Sequence, residues 1–345
     1  MNIHLHTNIE SISSLREEWL ELESSAPNIV LFQSWAWCSN VSEFSKVDAG
    51  FSPYVIAVRE GEQLLALLPL CLQRIGRQTV LTGLCEPFQH YTDILVSKNA
   101  NVTDVSALIF KALKDAPADY CHFGQVREDS VLADVVRREL APFDGGEFAP
   151  SIELSKYKPL DETNEVGLKS QKADKWTGKD ELLSSVIESV YEKREAWYAR
   201  LGITSRAYAN TDLKGFLDTF KKAPSHQEQG TIEAMGIRLT QNDVLVSDQL
   251  GFVYKGRFYN FMSGFGAQDA NWVEALHNQN LIKSCIEQSI ETLDFLSPAT
   301  ANEQNLCQNN VCVQDYLMPI SFKGRLFIGL WLKFLKPIAK KLLVR

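Results

Sequence analysis

The chain has 345 residues, 45% of them hydrophobic and 23% charged, which excludes a collagenous, low-complexity or broadly disordered polypeptide. Its length exceeds one typical core and suits two lobes of about 150 residues each. The formal net charge of −8 sets most of the surface against nucleic-acid phosphates, so no nucleic-acid partner is expected.

The alternation in Ile3–Thr7 predicts a first strand. Ser13 precedes LREEWLELE, whose early acidic residues suit an N-capped helix, and FQSWAWCSNVSEF predicts a second helix from about Gln33. YVIAVRE and QLLALLPLCL flank Gly61-Glu62 and read as a hairpin. QTVLTGL and TDILV follow as strands, Val102–Lys114 as a helix and DYCHFGQ as a strand. Residues 156–179 are polar and aperiodic and read as a linker.

The second half repeats that order. Asp180–Leu201 and Thr211–Lys222 are helical by spacing, and IEAMGIRLT, VLVSDQLGFVY and RFYNFMSGF are strand-like, the last two joined across Lys255-Gly256-Arg257. Leu276–Glu291 reads as a helix and TLDFLS as a short strand. Both halves thus run helix, helix, hairpin, strand, helix, strand, an architectural repeat. The expected organisation is a lobe over 1–155, a linker over 156–179, a second lobe over 180–321 and a basic tail over 322–345.

Seven cysteines without a C-x-x-C pair predict reduced, mostly buried thiols rather than disulfides or a metal site. The opening MNIHLHTNIE has no basic n-region or apolar h-region, and no run of about 18 apolar residues occurs anywhere. The expected location is the cytoplasm.

LFQSWAWCSNVSEF, then PYVIAVREGEQLLALLPLCLQRIGRQTVLTGL, then HYTDILV resembles the N-terminal half of CelD/BcsL-type acetyltransferases. Trp35 or Trp37, Pro69-Leu70 and Asp93 occupy the places of that family's helix motif, Pro-Leu step and acidic residue. The order VSDQLGFVYKGRFYNFMSGF, helix, LDFLS extends the resemblance to about Leu31–Ser297. It implies an α/β fold of two tandem GNAT-like lobes, similar to FemAB-type transferases, each a mixed, mostly antiparallel sheet flanked by helices. It also implies acetyl-CoA or another acyl-CoA as co-substrate, and as acceptor a sugar or lipid-linked intermediate of cell-envelope or exopolysaccharide synthesis. The chain departs from the pattern in lacking the Arg/Gln-x-x-Gly-x-Gly/Ala pyrophosphate loop. Leu276-His277-Asn278-Gln279-Asn280 stands where the family has a Pro-Gly-like step.

Acyl transfer to an amine needs a general base, donors for the developing oxyanion and a positive backbone end for the cofactor's phosphates. Asn278, Gln279 and Asn280, placed at the opening of the second-lobe helix, are the candidate cofactor-binding residues; Asn278 or Asn280 fits an ordinary N-cap equally. Arg194 falls on the apolar stripe of Leu183, Ile187, Val190, Trp197 and Leu201 and is a candidate catalytic residue, with Tyr191 one turn earlier on the same wall, or else it snorkels to the surface. Asp248 and Tyr259 lie at middle depth in the two hairpin strands as candidate catalytic residues; the plainer readings are a solvent-facing aspartate and an ordinary strand aromatic. Asp294 reads as a partner for a neighbouring loop, Asp93 is similarly ambiguous, and His277 is a further base candidate. His4 and His6 read as a solvated strand face, and no metal is expected.

The tail carries Lys323, Arg325, Lys333, Lys336, Lys340, Lys341 and Arg345 and no acidic residue. Removing those seven charges from −8 leaves −15 on residues 1–321. On a helix, Lys333, Lys336 and Lys340 oppose Phe327, Leu330, Trp331 and Leu335, which suits an anionic membrane surface or docking on the acidic body. The reading is an N- or O-acyltransferase. A FemAB-like aminoacyl transferase and a non-catalytic scaffold in an envelope assembly complex are the alternatives.

Overall fold

The computed structural model describes residues 1–27, 30–45, 51–143, 146–157, 171–177, 182–201, 213–222, 231–265 and 271–330. The chain opens with β1 (Asn2–His6), α1 (Ile9–Ser13), α2 (Arg16–Ser25), α3 (Trp35–Phe44), β2 (Ser52–Glu60), β3 (Gln63–Ile75), β4 (Gln78–Gly83) and β5 (Leu95–Val96). It continues through α4 (Val102–Lys114), β6 (Tyr120–Arg127), α5 (Val131–Val136), β7 (Glu147–Glu153), β8 (Gln171–Thr177), α6 (Leu182–Leu201) and α7 (Leu213–Asp218). It closes with β9 (Glu233–Gln241), β10 (Val244–Tyr254), β11 (Arg257–Phe265), α8 (Asn271–Glu287), β12 (Thr292–Asp294), α9 (Ala301–Leu306), β13 (Asn309–Pro319) and α10 (Phe322–Leu326).

Two compact units form, Met1–Glu147 with Cys312–Arg345, and Phe148–Val311. In the first the strand order is β1-β2-β3-β4-β6-β13, with β5 beside β3. Only β4 and β6 run parallel there. In the second the order is β7-β12-β11-β10-β9-β8, and only β11 and β12 run parallel. The repeat expected from sequence is therefore present strand by strand, and each unit is a mixed, mostly antiparallel sheet with helices.

The contiguous boundaries are corrected by strands that local patterning did not single out. β7 precedes the second unit's own elements yet pairs with β12, and β13 follows them yet pairs with β6. Strand pairing, not chain proximity, decides membership. The expected linker is corrected as well. Its Gln171–Thr177 stretch is β8, in register with β9, and Trp176 opposite Gly236 is fully buried. TDILV contributes only Leu95–Val96 to a strand.

In the first unit, α4 shows how local chemistry seats an element. Asn101 accepts from the Thr103 N–H at 3.0 Å, Lys111 and Lys114 fall in the last turn, and Val105, Ile109 and Leu113 form one apolar row. That row packs with Ile56, Val58, Leu68 and Leu81. Ile109 is fully buried, so its truncation to alanine is expected to cost about 3 kcal/mol. Ser13 does not cap LREEWLELE. Asn8 caps the earlier α1 through a capping box with Ser11, and α2 begins at Arg16 without a side-chain cap. Trp37 is fully buried, its ring edge-on to Phe32 at 5.3 Å, so this motif residue is core.

In the second unit, Leu281, Ile282 and Cys285 of α8 pack on Ile237, Leu239 and Leu293. α6 lies against β10 and β11. All seven cysteines are free thiols, five of them buried. Among the described residues no helix is long and apolar enough to cross a membrane.

Candidate functional site

β11 and β12 pair for three residues, Arg257 with Thr292, Phe258 with Leu293 and Tyr259 with Asp294. Beyond Tyr259, β11 continues to Phe265 while the chain after Asp294 turns away through Leu296, which has φ +62°. Fully buried Asp294 organises the departure: its Oδ1 accepts the Leu296 N–H at 2.9 Å and its Oδ2 accepts from Arg257 Nη1 at 3.1 Å. Asp294 is thus the loop partner that its burial in an apolar run predicts.

On its other edge β11 bulges. Leu250 pairs with Met262 but Phe252 pairs with Tyr259, which leaves an extra residue in β11 around Asn260 and Phe261. Among the described residues no strand pairs with the β12 side of β11 past Tyr259. Past Tyr259 β11 thus no longer pairs with β12, in the same stretch where the bulge re-aims its backbone.

Asp248 is not solvent-facing. It is fully buried and takes both bonds of the Arg238 guanidinium, Nε to Oδ1 at 2.8 Å and Nη2 to Oδ2 at 2.9 Å. Its carboxylate holds up the Arg238 pKa against burial, which lowers it. Both oxygens are thus committed to a cation within the sheet. Tyr259 is buried at the last paired position before the strands part. Arg194 is half-buried on α6, and its charge acts on Glu303. Tyr191, one turn earlier, is half-buried, with the Lys214 Nζ 5.6 Å from its ring centroid.

The expected position of the cofactor-binding residues at a helix opening is corrected. α8 begins at Asn271, so Asn278, Gln279 and Asn280 lie in its middle rather than at its opening. Their backbone N–H groups are past the first turn and belong to the intrahelical ladder, so the backbone there offers no donor to a phosphate, and neither asparagine is an N-cap. Asn280 Nδ2 donates to Leu276 O at 2.9 Å within the helix, and Gln279 is exposed. Residues 266–270, between β11 and α8, lie outside the described residues.

His277 is fully buried. Its Nδ1 lies 2.8 Å from Ser247 Oγ and its Nε2 3.0 Å from Gln249 Oε1. Burial, then the charge of Lys193, pushes the imidazole down to about 3, so it is neutral. Lys193 Nζ donates to Val246 O at 2.9 Å. Gln249 Nε2 and Asn278 Nδ2 are buried amide donors with no acceptor among the described residues. This polar seam between α8 and β10 was legible only as a pair of polar residues two apart, Ser247 and Gln249, in an otherwise buried strand.

The first unit has the same parting but fills it differently. β4 and β6 pair at Val80–Tyr120 and Leu81–Cys121 and then separate. There Gln89 lies over Gly83 so closely that a Cβ on the glycine would be 2.0 Å from Gln89 Nε2. The Gln89 amide accepts from the Cys85 N–H at 3.2 Å and donates to Thr92 Oγ1 at 2.9 Å. Asp93, buried and pushed up to about 7 by that burial, accepts the Ile94 and Leu132 N–H groups at 2.8 and 2.9 Å. It fastens the loop to the start of α5.

A pair absent from the sequence reading stands beyond that parting. His122 Nε2 lies 3.0 Å from Asp315 Oδ2, and Asp315 Oδ1 accepts the N–H of Gln125, whose φ is +49°. Burial raises the Asp315 carboxyl, but these two partners outweigh it and hold the group below its ordinary range. The residues are 193 apart in the chain, which hides them from any local reading.

No family model matches the sequence, and no curated protein matches it. Solved structures do. A tandem GNAT protein from the clavulanic acid biosynthesis pathway aligns over 93% of this chain and 99% of its own, with TM-score 0.58 and 12% identity. FemX aligns over 95% and 99%, with TM-score 0.54 and 11% identity. The C-terminal domain of a putative lysylphosphatidylglycerol synthetase from Agrobacterium fabrum aligns over 90% and 92%, with TM-score 0.52 and 9% identity. The fold is that of tandem GNAT proteins, and at these identities the likeness is one of fold.

Proposed function

We propose that this tandem GNAT-fold chain is an acyltransferase that passes an acyl group, acetyl from acetyl-CoA in the first instance, to an amine or hydroxyl. The observation that carries the reading is the parting of β11 from β12 past Tyr259, with a bulge in the same stretch of β11. An extended thioester cofactor carries amides in its arm, which can pair along a strand that has parted from its neighbour, as an added strand does. The bulge at Asn260 is the candidate site of backbone donation to the oxyanion that forms when an amine attacks the thioester carbonyl. Tyr259, at the parting point, is the side chain assigned to the leaving thiolate.

The second unit is the donor lobe in this proposal. In the first unit Gln89 covers the corresponding parting, and Asn101 already satisfies the start of α4. By resemblance to CelD/BcsL-type acetyltransferases, the acceptor is a sugar or lipid-linked intermediate of envelope or exopolysaccharide synthesis, met on the cytoplasmic side. Aminoacyl transfer uses a similar fold, but the −15 charge of residues 1–321 opposes holding a tRNA.

Thermal stabilisation by acetyl-CoA, with free CoA and longer acyl-CoAs alongside, tests the reading. A ligand at about 100 times its dissociation constant adds roughly 2.7 kcal/mol and raises the melting point. Tyr259→Phe is expected to keep that shift while lowering transfer. No shift with any CoA species overturns the proposal in favour of a non-catalytic scaffold.

A further inference from the structure

Residues 321–330 have two faces of opposite character. The inner face is fastened to the first unit. Ser321 Oγ accepts the Gly324 N–H at 3.0 Å and donates to Asp119 Oδ1 at 2.8 Å, and Lys323 Nζ donates to Asp119 Oδ2 at 2.8 Å. Phe327 stacks on Tyr120 with ring centroids 5.6 Å apart, and Ile328 packs with Val80 and Tyr120. Of the apolar residues expected on one face of the tail, Phe327 is thus seated on the first unit, its ring held by Tyr120.

The outer face is an exposed apolar row that no described residue covers. Phe322, Leu326 and Leu330 recur every fourth residue and are 75%, 45% and 53% exposed. The neighbouring Arg325 is exposed too. Residues 331–345, outside the described residues, add Lys333, Lys336, Lys340, Lys341 and Arg345 and no acidic residue. Exposed aromatic and aliphatic side chains beside a block of cations match the boundary of an anionic bilayer, where apolar groups enter the acyl edge and cations stay among the headgroups. Because residues 1–321 carry −15, such a surface repels the rest of the chain and attracts this segment alone.

We infer that Phe322, Leu326 and Leu330 form an interfacial anchor that seats residues 322–330 on an anionic lipid surface, to which the basic sequence that follows adds attraction. The inference is independent of acyl transfer, since vesicle binding is read without any acyl-CoA, and either can fail alone.

Full-length protein is sedimented with vesicles of phosphatidylcholine alone or mixed with phosphatidylglycerol, at low and high salt. It is expected to partition onto the mixed vesicles and to be released by salt. Phe322→Ser, Leu326→Ser and Leu330→Ser together are expected to weaken partitioning about tenfold or more, with an unchanged melting point. Each Lys→Gln change among Lys333, Lys336, Lys340 and Lys341 is expected to weaken it about fivefold. Failure to bind mixed vesicles, equal binding to pure phosphatidylcholine, or undiminished binding of the triple variant each overturns the anchor. A dimer that the triple variant dissociates, with no vesicle binding by the parent, assigns the row to a second copy instead.

Discussion

Arg238 and Asp248 form a bidentate ion pair between registered positions of β9 and β10, with the carboxylate fully buried. Backbone pairing sets the two side chains opposite one another, so the contact belongs to the sheet rather than to a loop. Removing one partner from such a pair strands the other's charge. Asp248→Ala is expected to lower stability by about 3 kcal/mol, read as a lower urea midpoint at unchanged slope. Asp248→Asn that keeps full stability yet abolishes transfer would return Asp248 to the role of base.

His277 gives a pH signature. Its folded value of about 3 lies below the unfolded 6.5, so the unfolded chain takes up the proton first as pH falls. Its neutral contacts support the fold above pH 6.5, and that support is lost progressively from about 6.5 toward 3. The slope approaches roughly 1.4 kcal/mol per pH unit. Urea midpoints measured from pH 7 to 5 should fall more steeply for the parent than for His277→Gln. Parallel curves would mean that His277 is solvated.

Glu303 has the opposite sign. Burial, helped by the charge of Glu274, raises this capping carboxyl from 4.5 to about 7 against the pull of Thr300 and Arg194. Stability from its protonated form is full below about pH 4.5 and is lost as pH rises through 7. Glu303→Gln retains an acceptor for the Thr300 N–H without the buried charge. The variant is expected to be more stable than the parent at pH 8 by about 2 kcal/mol, with the gap closing by pH 4.

Gly324 tests how the C-terminal segment is held. A Cβ there would lie 1.8 Å from the backbone O of Asp119. Gly324→Ala should cost about 2 kcal/mol locally and speed hydrogen exchange over residues 322–328, while α4 stays protected. Unchanged exchange would show that the close approach relaxes cheaply.

The thiols divide by burial. Cys307 and Cys312 are only partly covered, whereas Cys38, Cys71, Cys85, Cys121 and Cys285 are buried. Burial pushes Cys307 up to about 12 and raises Cys312 as well, so both react slowly. A thiol reagent is expected to label Cys312 and then Cys307 in the native protein, and the other five only in denaturant. Early labelling of Cys38 or Cys85 would contradict the packing of the first unit.

Local chemistry made most elements readable. The Gly61-Glu62 turn, the α4 stripe behind Asn101 and the strands on either side of Gly256 all occur where periodicity and turn residues put them. Each is stabilised by contacts within a short window, so a short window suffices to see it. Helix openings were less legible: α8 starts at Asn271, five residues before the expected Leu276, which moved Asn278, Gln279 and Asn280 from a helix end to its middle.

The sequence by itself determined the repeated order of elements, the charge division between residues 1–321 and the tail, and the thiol character of the cysteines. These depend on composition and on spacings of a few residues. Tertiary structure decided which strand completes which unit, that Asp248 is spent on Arg238, that Ser247 and Gln249 hold His277, and that Phe327 faces Tyr120 while Phe322 faces outward. Each of these rests on pairing, or on burial set by pairing, between segments that the chain alone leaves unordered. Hydrogen-bond ladders and close packing select the partner, and a side chain's chemistry follows from the partner it is given.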